Sequence, residues 1–254
     1  MEQVASLGWS FATIRLGASF FKEAQFDVLE KLNQLTIPAV CDVLWSFCAA
    51  RHRDPHFFKA LFSMLVPSRV AGDPRCALLC PAILDIRTHL PEMDPEGLER
   101  YSGYAHDAFY HSQLAALPPS AAMRGLEEAL QDAGVVFESA FEVDGYVADY
   151  VITNVEELGA MDEEEEDEDD GVRRQVAVLY HSAPRTLHRR TGEPLGQTLM
   201  RQRHLKDRDF GVVNLWDKAW DELDRPARAA FLRPRLLAAA RRPRQAAGTA
   251  AAAA

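Results

Sequence analysis

"LGWSFATIR", residues 7–15, is echoed thirty-six positions later by "VLWSFCAAR", residues 43–51. Sliding the chain by the same step once more produces three-membered columns. Val4, Val40 and Cys76 align; so do Leu7, Val43 and Leu79; Phe11, Phe47 and Ile83; Ile14, Ala50 and Ile86; and Arg15, Arg51 and Arg87. The apolar columns fall at i, i+3, i+7 and i+10, which is one face of a helix. A second set follows in each unit: Phe21, Phe57 and Met93; Phe26, Phe62 and Leu98; Leu29, Leu65 and Tyr101. Asp-Pro pairs mark helix starts at Asp54-Pro55, Asp73-Pro74 and Asp94-Pro95. Asp accepts from the orphan N–H groups of a first turn, and Pro has no N–H to leave unpaired there. Each unit therefore reads as a helical hairpin that buries its apolar face only by stacking on the next. An α-solenoid of hairpin repeats is expected over residues 1–117. The pattern starts near residue 1 and leaves room for a longer array. The repeated Arg reads first as a helix C-terminal charge that complements the dipole, with a phosphate-facing role as the alternative.

The chain has 254 residues, 48% of them hydrophobic, enough for one large core or two modest ones. No run of about 18 apolar residues occurs, so no membrane span and no membrane partner are expected. The first 30 residues mix acids and bases and match neither a secretory signal nor a transit peptide. Cys41, Cys48, Cys76 and Cys80 all lie in apolar helical patterns and read as core. Cys76 and Cys80 lack a nearby His pair to complete a metal site, so neither a metal nor a cofactor is expected. Charge is uneven along the chain. Residues 1–161 carry net −11, the run "DEEEEDEDD" at 162–170 carries −9, and residues 171–254 carry +10. A basic C-terminal third points to a polyanionic partner, or to a solvated face of an interaction domain.

After Pro118-Pro119 the pattern changes, and a second domain is expected over 118–237. "SAAMRGLEEALQDAG" reads as a helix. "VVFESAFEVDGYVADYVITN" alternates around Asp144-Gly145 as a β-hairpin. The acidic run is too charged for a core and reads as a loop insert. "QVAVLYHS" reads as a central strand, "TLMRQRHLKDRD" as a helix, and "GVVNLWD" as a strand. "KAWDELDRPARAAFLRPRLLAAA" reads as a closing helix, broken or kinked near Pro226 and Pro234. This order suggests a small α/β sandwich with a mixed sheet, followed by a disordered Ala/Arg tail over 238–254.

One stretch, residues 176–223, resembles the RAP domain of FAST-kinase-like organelle proteins. The likeness rests on Leu195, Gly196 and Thr198 in a Leu-Gly-x-Thr turn, then Arg201, Arg203 and Leu205. Gly211, Val212, Val213, Trp220 and Leu223 complete it. The upstream hairpins resemble the heptatricopeptide and octotricopeptide repeats that accompany RAP domains, and together the likeness covers roughly residues 1–235. It implies a restriction-endonuclease-like fold, mitochondrial or plastid localisation, and organelle RNA as partner. By the same likeness the role lies in RNA processing, rRNA maturation or ribosome assembly. Asp149 occupies the first nuclease carboxylate position. Leu179 and His181 stand where the next strand's acids belong, so the carboxylate set is incomplete and no nuclease activity is expected. Arg185, Arg189, Arg190, Arg201, Arg203, Lys206 and Arg208 are the expected RNA-binding residues, with arginine suited to phosphate. His188, His204, Trp216 and Trp220 are weaker base-stacking candidates, Trp220 being the one expected in the core. A structural component of the mitochondrial ribosome, with the repeats packed on mitoribosomal proteins and the basic domain on rRNA, is the second reading, and a metal-dependent nuclease the third. The acidic run is expected to compete with RNA for the basic face.

Overall fold

The computed structural model describes residues 2–15, 17–70, 73–93, 95–118, 120–154, 174–182, 186–188 and 191–241. The chain is mostly helical, with one small four-stranded mixed sheet. Helices α1 (Glu2–Ile14) and α2 (Ala18–Glu30) form the first hairpin. Helices α3 (Ile37–Ala49) and α4 (Pro55–Ser63) form the second, and a short helix α5 (Pro67–Val70) follows it. A 3-10 turn at Pro74–Leu78 leads into α6 (Leu79–His89) and the long α7 (Pro95–Ala115).

The first helices of successive hairpins pack side by side, α1 on α3 and α3 on α6. The expected N-caps form at two of the three Asp-Pro pairs. Asp54 accepts from the N–H groups of His56 and Phe57, and Asp73 accepts from that of Arg75. Asp94 lies outside the described residues. The repeat reaches the backbone: Arg15 and Arg51 end their helices in the left-handed region, at φ 61 and φ 60. Arg51 closes the helix by donating its N–H to the Cys48 carbonyl. Arg87 breaks the series; it stays helical and pairs with Glu99 and Ser102 on α7. Trp9 and Trp45 stand 6.2 Å apart across the first two hairpins, and Ser10 and Ser46 each donate back to the carbonyl four residues before. Phe47 and Phe57 pack in the core with tilted rings, their centroids 4.4 Å apart. All four cysteines are buried and free, and burial pushes the Cys41 and Cys80 thiols up to about 12.

Helix α8 (Ser120–Asp132) opens the second unit. Strands β1 (Phe137–Val143) and β2 (Tyr146–Ile152) form the expected hairpin, with Asp144 and Gly145 both at positive φ in its two-residue turn. The sheet order is β1-β2-β3-β4. β3 (Val176–His181) is central, antiparallel to β2 and parallel to β4 (Gly211–Trp216). Between these two strands runs α9 (Gly196–Asp207). The closing helix is two pieces, α10 (Asp217–Asp221) and α11 (Arg225–Ala240). Pro226 lies in the first turn of α11 and Pro234 lies inside it, so the helix continues past Pro234 and on into the stretch assigned to the tail.

One sheet face packs on α8 and α11 around Leu126, Val178, Leu215, Trp220 and Leu236. The other meets Leu205 of α9 over Ala177 and Leu179. Helix α9 also touches α1, α3 and α6, so it is the seam between the helical and α/β units. The apolar core of the hairpins extends across it to Met200 and to Tyr146. No helix among the described residues is long and apolar enough to cross a membrane.

Candidate functional site

Strand β2 is buried along its whole length, so a charge on it needs partners. Asp149 lies where both neighbouring ladders are interrupted. The β1–β2 pairing skips Ala140, which sits at φ 51, and the β2–β3 pairing stops at Tyr150. Asp149 Oδ2 instead accepts the Tyr180 N–H at 2.7 Å. Burial raises the Asp149 carboxyl above its ordinary range, against the pull of Arg201 and the backbone N–H groups.

His181, at the end of β3, is 1% exposed and stacks on Trp216 at 4.4 Å. Its Nε2 meets Asn214 Oδ1 at 2.7 Å, and Gln202 donates to the same oxygen. An amide oxygen only accepts, so Nε2 carries the proton and Nδ1 presents a lone pair. That Nδ1 is buried without a partner. Burial lowers the ring's pKa to about 4, outweighing the Asn214 hydrogen bond.

Asp149 and His181 line one cleft of about 750 Å³ at the seam. Trp9, Trp45, Phe109, Tyr146 and Tyr180 form its aromatic walls, and Gln197, Thr198 and Arg201 of α9 form its polar side. The Leu-Gly-x-Thr turn acquires a physical reason here. A Cβ at Gly196 would lie 2.1 Å from the Ala12 carbonyl oxygen of α1, so only glycine lets the two helices approach. Thr198 Oγ1 donates to the Thr186 carbonyl, tying the loop to the helix. Gly211 plays the same role against α11, where a Cβ would lie 2.2 Å from the Ala239 oxygen.

The residues do not fit a nuclease metal. Extending the β2–β3 register sets Leu179 opposite Asp149, and Leu179 is fully buried in an apolar layer. Asp149 Oδ2 and His181 Nε2 are already bonded to protein. Among the described residues no group of three or more His, Cys, Asp or Glu is placed to hold a metal ion. A hard divalent ion needs several oxygen ligands, and this set offers one carboxylate.

The expected RNA-binding residues separate into distinct surroundings. Arg185, Arg189 and Arg190 lie outside the described residues, as does the acidic run. Lys206 and Arg208 are exposed at the end of α9, with Arg208 paired to Asp144. Arg201 and Arg203, expected to contact RNA, turn inward, to the Val147 carbonyl and to Asp85. Helix α9 is covered on two sides, by the sheet and by the hairpins, so its cations are not all solvated. Arg201 donates to the Val147 carbonyl, its Nε is buried without a partner, and burial lowers its pKa. Of the base-stacking candidates, His204 and Trp220 are buried, His204 in the network below and Trp220 in the core. His188 bonds Thr191 within its own loop.

Arg203 belongs to a network that the sequence pattern did not reveal. Asp85 of α6 is 0% exposed. It receives Arg53 at 2.7 Å, Arg203 at 2.5 Å and His204 at 3.3 Å. Arg53 comes from the loop after α3, while Arg203 and His204 come from α9, so one carboxylate ties the second and third hairpins to the α/β unit. His204 Nδ1 meets Tyr146 Oη at 3.1 Å. Since the carboxylate only accepts, Nε2 is the donor to Asp85 and the tyrosine donates to Nδ1. Burial favours a neutral Asp85, but the His204 hydrogen bond and the two arginines outweigh it and hold the carboxyl below its ordinary value. The available signal was one acid on an otherwise apolar helix face, in "AILDIR".

What results is a mostly helical chain with a small mixed α/β unit, and a cleft where the two meet, lined by aromatic residues and by Asp149, His181 and Arg201. No protein-family model matches the chain, and no curated protein matches it in sequence.

Proposed function

We propose that this is an organelle RNA-binding protein in which a short α-solenoid carries a RAP-like, restriction-endonuclease-like module that has no nuclease activity. The observation that carries the reading is the cationic closing helix. Arg228, Arg233 and Arg235 of α11, and Arg241 just beyond it, form no ion pair among the described residues, whereas Arg225 pairs with Asp132 and Glu128. Arg228 and Arg235 lie over the Trp220 and Phe231 rings, which leaves their charge uncompensated. Unpaired arginines suit phosphate contacts, because counterion release favours such a surface. Mitochondrion, with plastid as the alternative, rests on the resemblance alone. So does a role in RNA processing, rRNA maturation or ribosome assembly.

A second reading, a structural component of the mitochondrial ribosome, draws on the first hairpin. Leu7, Phe26 and Leu29 are exposed there, in a region of net negative charge suited to protein contacts. Incubating the full chain with labelled single-stranded RNA at low salt, with and without magnesium or manganese, tests the first reading. Retarded, intact RNA in both conditions supports it. Metal-dependent cleavage, or no retardation at any salt, overturns it.

A further inference from the structure

Two residues lining the seam cleft carry buried polar atoms without a protein partner, and the two atoms are of opposite kinds. His181, at the carboxyl end of β3, is 1% exposed and has its Nε2 proton engaged by Asn214. Its Nδ1 is an open acceptor, because burial keeps the ring neutral at physiological pH. Arg201 of α9 gives one N–H to the Val147 carbonyl and leaves its buried Nε–H without an acceptor. Asp149 adds a second acceptor near the first. Its Oδ2 holds the N–H of Tyr180, the residue before His181, and a carboxylate has lone pairs for more than one donor. Buried polar groups left open are costly, and a native site keeps them when a ligand or ordered water completes them.

A ligand that completes this set brings donors to Asp149 and His181 and an acceptor to Arg201. The charges suit a neutral one: among the described residues the cleft lining holds one acid, Asp149, and one permanent cation, Arg201. The other walls suit a planar one. Trp9, 40% exposed, lines the cleft with Tyr146 and Tyr180, and aromatic faces stack with bases. The volume of about 750 Å³ lies within the usual range for small-molecule sites. The place in the fold agrees: β3 and β4 are parallel, and open α/β sheets bind ligands outside the carboxyl ends of such strands. Of the four RNA bases, guanine alone carries two adjacent donors and an acceptor along one edge, the N2 amino group, N1–H and O6.

We propose that this cleft binds a guanine base by that edge, with Asp149 and His181 Nδ1 accepting, Arg201 donating and the ring against the aromatic wall. No phosphate takes part in the recognition. The site deepens the RNA-binding reading, on which it rests for one source of the base, a residue of the bound strand. Free guanosine is the other source.

The test titrates the full chain with guanosine, inosine, adenosine and guanosine 5′-monophosphate, followed by calorimetry. Guanosine is expected to bind. Inosine lacks the N2 amino group, leaves one buried acceptor open, and should bind about tenfold more weakly. Adenosine reverses donor and acceptor on this edge and should not bind. The monophosphate should match guanosine. Asp149→Asn keeps an oxygen for the Tyr180 N–H and turns the other acceptor into a donor; it should weaken guanosine by about tenfold. Thermal melting checks that this variant folds, and the nucleoside series on wild type decides the matter without it. Equal binding of guanosine and inosine, tighter binding of the monophosphate, or no nucleoside bound overturns the site. So does a folded Asp149→Asn with wild-type guanosine affinity. Oligouridylate with one central guanosine, compared with the same strand carrying inosine there, separates the sources and the two readings. Tighter binding of the guanosine strand assigns the base to the strand, and guanosine binding without that difference assigns the free nucleoside. If both strands bind equally and no nucleoside binds, the cleft proposal fails and the RNA reading stands. If guanosine binds and neither strand does, the cleft stands and the RNA reading fails.

Discussion

His181 is the residue whose chemistry most departs from what its letter suggests. In the sequence it is a polar strand end; in the fold it is a buried, neutral ring with its pKa near 4 against an ordinary 6.5. Between those two values the unfolded chain binds a proton that the native protein refuses, so stability rises with pH across this window. Acidification from pH 6.5 to 4 should therefore remove about 3 kcal/mol through this group. Asp149, with its carboxyl raised, contributes with the opposite sign at the acid end. The comparison of wild type with His181→Leu by denaturant unfolding isolates the histidine. The variant is expected to lose the slope between pH 4 and 6.5, and an unchanged slope would show that the ring titrates normally. Asp149 and His181 were legible as a pair of strand positions. The partners that set their protonation, Tyr180 N–H and Asn214, were not, because they are matters of packing across strands.

At the scale of elements, the 36-residue period carried most of the helical reading. The apolar columns of the second and third hairpins are largely buried, while the first hairpin exposes Leu7, Phe26 and Leu29. Equivalent columns should therefore respond differently. Leu98→Ala should cost about 2–5 kcal/mol, as a buried truncation does, whereas Phe26→Ala at the same column should stay within about 0.5 kcal/mol. Thermal unfolding of the two variants checks this, and equal losses would contradict the stacking order. The motif glycines are legible as letters but not as contacts. Gly196→Ala should destabilise by about 1–3 kcal/mol, since its Cβ has to push α9 away from the Ala12 carbonyl. A variant with wild-type melting would show that the helices are not in close approach.

For the whole molecule, the least legible feature is the seam. Alternation and turn signals placed α9 and the four strands, but a basic helix reads as solvated unless both of its neighbours are known. Arg203 is therefore an internal partner of Asp85, held jointly with Arg53 and His204. Asp85→Ala removes the shared carboxylate and leaves two guanidinium groups facing each other. It should cost about 3–5 kcal/mol, the penalty for an uncompensated buried charge. Hydrogen exchange should show α6 and α9 losing protection together. Protection lost on one side alone would mean that the network does not couple the units.

The most direct measurement of the central claim is the salt dependence of single-stranded RNA affinity, followed by anisotropy, for wild type and for Arg228→Gln, Arg233→Gln, Arg235→Gln and Arg241→Gln combined. Every arginine that neutralises a phosphate should, once replaced, reduce the slope of log affinity against log salt by about 0.7. The account predicts measurable wild-type affinity at low salt and a clearly shallower slope for the combined variant. An identical slope in the two proteins, or no wild-type affinity at the lowest salt, would contradict it.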